Sequence, residues 1–344
     1  MAARVNRKWI LKSRPVGMLK ESDFELDSEP TPELEDGQAL VKNLIVAFEP
    51  AMRGWLDDRP SYVPPVGLGE VMRAASVGQV VKSRTPTLAV GDLVTGTMGW
   101  QEYPVVDFGR PSIFGGANKL PPGTSPEQAL SVFGFTGLTA YFGLLEVGQP
   151  KEGDVVLVSG AAGATGSVVA QIARIKGASK VVGIAGGPKK CAWLVEKAGL
   201  DAAIDYKNED VGQRMREECP NGVDVFFDNV GGEILNQALV NMATYGRIVL
   251  CGGISGYNDK TPQPGPSNIM ELVIRRCRMQ GFIIMDYLKD APRAFADIAG
   301  WVASGDLIAE FDMQEGFENV PGCLLGLFEG RNLGKQLCRI ADPD

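Results

Sequence analysis

The chain has 344 residues, 44% of them apolar, and carries 34 Lys and Arg against 42 Asp and Glu for a formal charge of −8. This length predicts two lobes, and an acidic balance without a long basic run argues against nucleic acid or an anionic membrane surface as a partner. Histidine is absent and the cysteines stand far apart, which removes Ser-His and Cys-His nucleophiles, zinc sites that need imidazole, and CxxC pairs.

Met1 to Lys20 lacks an apolar segment long enough for a signal peptide, and no run approaches a membrane span, so a cytoplasmic protein is expected. Up to about residue 125, short β-rich runs such as 39–47 and 76–82 alternate with Pro and Gly turns and predict a twisted β lobe. Within it, Glu49 to Trp55 and Ser61 to Pro65 read as loops with large side chains, either walls of a cleft or ordinary packing. Val90 to Val94 reads as a turn entering a strand.

From Ser125 the pattern changes. Residues 126–133 and 138–146 have helical composition, and predicted strands at 154–160, 180–186, 202–206, 223–230, 247–254 and 280–285 then alternate with helices. This alternation predicts an α/β fold: a doubly wound parallel sheet with right-handed crossovers. The tail, 311–340, returns to strand-like and turn-rich sequence and is expected to fold back onto the first lobe. The cysteines, Cys191, Cys219, Cys251, Cys277, Cys323 and Cys338, are expected as buried small hydrophobes.

The chemistry is signalled first at Asp154 to Ser167. Val155 to Val158 suits a buried parallel strand, and Val168, Val169, Ile172, Ala173 and Ile175 recur at helical spacing before Gly177. Between them Gly160, Gly163 and Gly166 let the backbone turn tightly and approach a pyrophosphate facing the helix N-terminus. The spacing is GxxGxxG, where GxGxxG is commoner; a turn that only packs closely is the other reading.

An NAD site usually places an acid about 20 positions beyond the glycine turn. No Asp or Glu lies between Ser167 and Val195, and the second strand runs into Gly186, Gly187, Pro188, Lys189 and Lys190. Small residues leave room, and lysines supply charge, for the extra phosphate of NADP, so NADPH is favoured over a merely solvated basic turn. Without histidine or metal, tyrosine is the natural candidate for a proton donor in hydride chemistry. None of the seven tyrosines has a lysine four positions on, which disfavours the short-chain dehydrogenase arrangement. The best placed is Tyr257, in the loop after the fifth predicted strand; a packed loop tyrosine is the alternative.

The chain resembles the zinc-independent medium-chain dehydrogenase/reductases, in the group containing prostaglandin reductases, leukotriene hydroxydehydrogenase, plant alkenal double-bond reductases and bacterial curcumin reductase. The resemblance spans nearly the whole chain and is carried by Gly137 to Leu144, Ala161 to Ser167, Ile204 to Lys207, Phe227 to Gly232, Gly252 to Asn258 and Gly330 to Lys335. It implies a GroES-like β-rich catalytic domain at 1–128, completed by 305–344, and a Rossmann NADP-binding domain at 129–304. It further implies that backbone of Ala162, Gly163, Ala164 and Thr165 meets the pyrophosphate, and that Lys190 and Tyr206 bind the ribose phosphate. Thr139, Gly187, Asn229, Cys251, Gly252, Ile254, Ser255, Tyr257, Phe282, Ile283, Ile284 and Asn332 would line the rest of the cofactor.

Zinc-dependent relatives have a GHE motif where this chain has Gly67, Leu68, Gly69 and Glu70, and the four-cysteine lobe is missing, so no metal is expected. Met52, Arg53, Trp55 and Tyr62 are candidates for the substrate pocket. Family members often have tyrosine where this chain has Ala51, so substrate identity does not carry over. The activity implied is NADPH-dependent reduction of the carbon-carbon double bond of enals and enones by a homodimer. Quinone reduction, and a nucleotide-binding interaction protein with little turnover, are the alternatives.

Overall fold

The computed structural model describes residues 4–107, 116–261 and 263–344. The chain divides into two compact units, Met1–Leu130 with Phe311–Asp344, and Ser131–Glu310. The first draws β1 (Val5–Leu11), β2 (Phe24–Pro30), β3 (Gln38–Ala47), β4 (Ser76–Ser83), β5 (Leu93–Gly96), β6 (Val105–Asp107) and β7 (Ala117–Lys119) from the early chain. The second holds β8 (Val155–Ser159), β9 (Lys180–Ala185), β10 (Ala202–Asp205), β11 (Val223–Asp228), β12 (Met242–Leu250) and β13 (Arg278–Gly281). The chain then returns to the first unit with β14 (Phe311–Glu315) and β15 (Lys335–Arg339). Among the described residues no helix is long and apolar enough to cross a membrane.

In the first unit β1 and β2 form an antiparallel pair, and the larger sheet runs β14-β15-β3-β4-β5-β7 with β6 also paired to β3. Its middle strand, β3, buries both faces. Ala39 and Val41 pack with Val80, Val94 and Val106, while Leu44, Ile45 and Ala47 pack with Val77 and Leu337. Tail and early chain are therefore one core: β15 lies antiparallel to β3, with Cys338 opposite Val46.

The second unit is a six-stranded, all-parallel sheet in the order β10-β9-β8-β11-β12-β13. Strand order reverses between β8 and β11, the position at which open α/β sheets bind ligands at their carboxyl ends. Leu157, Val182, Ile204, Phe226 and Ile248 lie in one core cluster, the continuous apolar burial that a sheet covered on both faces demands.

Several predicted elements differ from those observed. The tail contains the helix Val320–Phe328, whose Val320, Cys323, Leu324 and Leu327 are buried at helical spacing; Gly322 and Gly326 hid that period. Met52–Trp55 is a short helix within the predicted loop. The fifth strand starts at Met242 and stops at Leu250, because the N–H groups of Cys251 and Gly252 turn to the Asp228 carbonyl. The sixth ends at Gly281, before Phe282. Of the cysteines, Cys219, Cys323 and Cys338 are buried as expected, whereas Cys191, Cys251 and Cys277 are only partly so: Cys191 lies in the first turn of a helix, and Cys251 and Cys277 flank strand ends.

Candidate cofactor site

The glycine turn has the shape its spacing predicts. Gly160 takes φ +57, open to glycine at little cost, and its carbonyl accepts from Gly163 N–H at 3.0 Å. A Cβ on Gly166 would stand 2.4 Å from the Gly160 carbonyl oxygen, so only glycine lets the helix Ala164–Ile175 approach β8 this closely. No side chain caps that helix at Gly163, and the N-terminal end of a helix favours a ligand of negative charge.

At the adjoining carboxyl end of β11, the Ser159 hydroxyl donates to Asp228 Oδ1 at 2.7 Å and accepts Asn229 N–H at 2.8 Å. Asn229 Nδ2 donates to the Ser159 carbonyl at 2.7 Å. Burial raises the Asp228 carboxyl from its ordinary value, against donation from Gly231, Ser159 and Val230. Cys251 continues β12 beside it. Burial, then the Asp228 charge, pushes this thiol up to about 12, so at neutral pH it is no nucleophile.

The loop after β12 is tied to the loop after β11: Ile254 N–H donates to the Asn229 carbonyl, and both Ser255 N–H and its hydroxyl to that of Val230. Tyr257 closes this turn. Its phenol oxygen accepts Gly253 N–H at 3.1 Å, so in that bond the hydroxyl is the acceptor. Phe282 packs edge-on to Phe227, and a Cβ on Gly143 would sit 2.4 Å from the Phe282 ring. Ile283 and Ile284, both partly buried, lead into a 3₁₀ turn, and the Thr139 hydroxyl donates to the Phe135 carbonyl in its own helix.

At the ends of β9 and β10, Gly187 takes φ +94 ahead of the helix Pro188–Glu196 that carries Lys190. Tyr206 is 47% exposed, a ring available to a ligand. The structure thus brings Ala162 to Thr165, Asn229 and Cys251 to Tyr257 to one edge of the sheet of this unit, with Lys190 and Tyr206 following its outer strands.

The remaining predicted residues belong to the first unit. Met52 is in its core with Phe48, Leu56 and Trp100. Arg53 is buried too, donating to Asp57 at 2.6 Å and to the Gly17 carbonyl at 3.2 Å. Trp55 is partly buried with the Arg73 guanidinium 5.7 Å from its ring, and Tyr62 is exposed. Asn332 Nδ2 donates to the Gly334 carbonyl at 2.8 Å, and the buried Lys335 meets Glu49 at 3.0 Å. Among the described residues no three His, Cys, Asp or Glu side chains are grouped to hold a metal ion. Ser159, Gly143, Asp205 and Asp228 were missed as site residues. Asp205 and Asp228 lie inside the recognised motifs, and their isolated acidity within apolar strands was the available signal.

Two family models match the chain: an N-terminal domain of oxidoreductase at residues 7–112, and a zinc-binding dehydrogenase at 164–302. NADPH-dependent curcumin reductase of Escherichia coli is 37% identical, covering 98% of each chain. The NADP-dependent 2-alkenal reductase of Nicotiana tabacum is 36% identical over 98% of each. The crystal structure of CurA from Vibrio vulnificus in complex with NADPH superimposes with a TM-score of 0.91 at 38% identity, over 98% of this chain and 100% of that one.

Proposed function

The chain belongs to the medium-chain dehydrogenase/reductase family, in the group of the prostaglandin, curcumin and 2-alkenal reductases, and we propose that it is an NADPH-dependent reductase of carbon-carbon double bonds conjugated to a carbonyl. The observation that carries this reading is Tyr257, on the loop after β12, with its phenol oxygen held by Gly253 N–H. NADPH, when bound, supplies the hydride. Ala162 to Thr165 would hold the pyrophosphate by backbone N–H groups, and Lys190 and Tyr206 the ribose phosphate. Asn229, Cys251, Gly252, Ile254, Ser255, Phe282 to Ile284, Thr139 and Gly187 complete the cofactor's surroundings within the second unit in this reading.

Reduction at the β-carbon builds negative charge on the substrate's carbonyl oxygen, and a fixed O–H donor there lowers the barrier as that charge develops. Tyr257 is assigned this role. For the substrate, Trp55 and Tyr62 offer surface, while Met52 and Arg53, being buried, support that wall from behind. The reaction needs no metal; support comes from the absence of histidine and the separation of the cysteines. The protein is assigned to the cytoplasm, and as a homodimer; the dimer is supported by β13, an edge strand among the described residues, and by Met270, Val273 and Ile274, each more than 60% exposed. Light scattering checks the dimer by a mass twice that of the chain.

The test of activity is NADPH oxidation with enals, enones, quinones and saturated aldehydes, with product identification, for wild type and Tyr257→Phe. Enones and enals should yield saturated carbonyl products, with kcat about 10²- to 10⁴-fold lower in the variant. The loss should be smallest for the most electrophilic acceptors. Turnover confined to quinones would displace this reading, and equal rates in both proteins would remove Tyr257 from the chemistry.

A further inference from the structure

Asp205 closes β10 and is 8% exposed, yet its carboxylate is already engaged within the unit. Gly187 N–H donates to Oδ1 at 2.7 Å and Lys207 N–H to the same oxygen at 3.1 Å, while Asn208 Nδ2 donates to Oδ2 at 2.7 Å. Gly187 precedes the helix that carries Lys189 and Lys190, and Tyr206 and Lys207 follow Asp205 directly. One carboxylate therefore ties the end of β9 to the end of β10. Around it, Tyr206 N–H donates to the Ala185 carbonyl at 3.1 Å, and a Cβ on Gly186 would stand 2.8 Å from the Tyr206 ring. One side of the ring rests on glycine backbone, and a side chain at 186 would displace it. Burial works to raise the pKa of Asp205, but donation from Gly187, Asn208 and Lys207 outweighs it and holds the carboxyl below its ordinary value, so the tie is ionised at neutral pH.

A carboxylate at the carboxyl end of a strand in such a sheet can accept from the ribose hydroxyls of NAD. Asp205 is differently employed: it stands on the outermost strand, and three donors already occupy its oxygens. We propose that Asp205 is a positioning residue for cofactor selectivity, holding Gly187 and Tyr206 in register so that Lys190 and Tyr206 converge on the extra phosphate of NADPH. This rests on the assignment of Lys190 and Tyr206 to that phosphate. The three donors aimed at the carboxylate are neutral and hold its charge in place, so Asp205 acts on the phosphate site by fixing Gly187 and Tyr206.

The test is the Kd of NADPH and of NADH, measured by titration without substrate, for wild type, Lys190→Glu, Asp205→Ala and Asp205→Asn. Asp205→Ala should weaken NADPH roughly tenfold, the loss expected for a hydrogen bond to a charged group, and change NADH by less than about threefold. Asp205→Asn keeps an amide oxygen for Gly187 and Lys207 and should restore most of the selectivity. In the wild-type protein, which requires no variant to fold, the Gly187 amide proton should exchange slowly although it lies in a loop. The proposal is overturned if Asp205→Ala weakens both cofactors equally while Lys190→Glu remains selective. It also fails if Asp205→Asn is as deficient as alanine, or if the Gly187 amide exchanges at an open-loop rate. Should Lys190→Glu itself weaken both cofactors equally, the phosphate assignment falls first, a result the Asp205 variants cannot produce.

Discussion

Ser159 and Asp228, the last residues of neighbouring strands β8 and β11, are joined by a 2.7 Å hydrogen bond with both side chains fully buried. The bond spans the point at which strand order reverses, and the same serine oxygen accepts Asn229 N–H. Removing it leaves a buried carboxylate short of one donor and a backbone N–H without an acceptor. Ser159→Ala should therefore cost about 1–3 kcal/mol in urea unfolding. A variant as stable as wild type would show that the loop after β11 re-pairs without the hydroxyl.

Gly252→Ala tests how closely Tyr257 must be placed. The added methyl would meet the phenol oxygen at 3.0 Å and the Asn229 carbonyl oxygen at 3.3 Å, so the phenol must move by a few tenths of an ångström. Such a displacement should lower kcat roughly tenfold. In a double-mutant cycle with Tyr257→Phe the losses should not add, because both act on one hydroxyl. Full additivity would separate Gly252 from the tyrosine.

Extended dialysis against a chelator should leave turnover unchanged. Without histidine, a catalytic or structural zinc would have to be built from cysteines that stand well apart in the chain. Activity lost on chelation and regained with zinc would contradict the metal-free reading.

Tyr141 gives an alkaline signature. Its hydroxyl donates to Asp297 at 2.5 Å, and burial, then this carboxylate, pushes the phenol up to about 12. The unfolded phenol ionises near 10, so between about pH 10 and about 12 the native state holds the proton more tightly and stability falls as pH rises. Below pH 10 the contribution is fully present. Tyr141→Phe should show a shallower decline across that window in urea unfolding, and identical slopes would exclude Tyr141 as its source.

Much of the second unit was legible in the linear chain because a parallel sheet buried on both faces writes itself as continuous apolar runs, each ending in glycine or a polar loop. Val155–Ser159 and the glycines after it required no partner to be read, since Gly160 and Gly166 answer local demands of backbone angle and close approach. The absence of an acid after β9 was equally plain. Other features depend on residues distant in sequence. That Asp228 meets Ser159 across 69 positions, that Asp205 holds Gly187, and that Gly253 N–H holds the Tyr257 oxygen are consequences of strand order and loop closure, which no periodicity encodes. Met52 and Arg53 show the converse: large side chains in a short polar stretch look like a wall, and only packing against Phe48, Leu56 and the Gly17 carbonyl turned them inward. Local backbone chemistry announced where a nucleotide fits, whereas the side chains that hold the site in shape were decided by tertiary contacts, because burial and hydrogen-bond partnership are properties of neighbours in space.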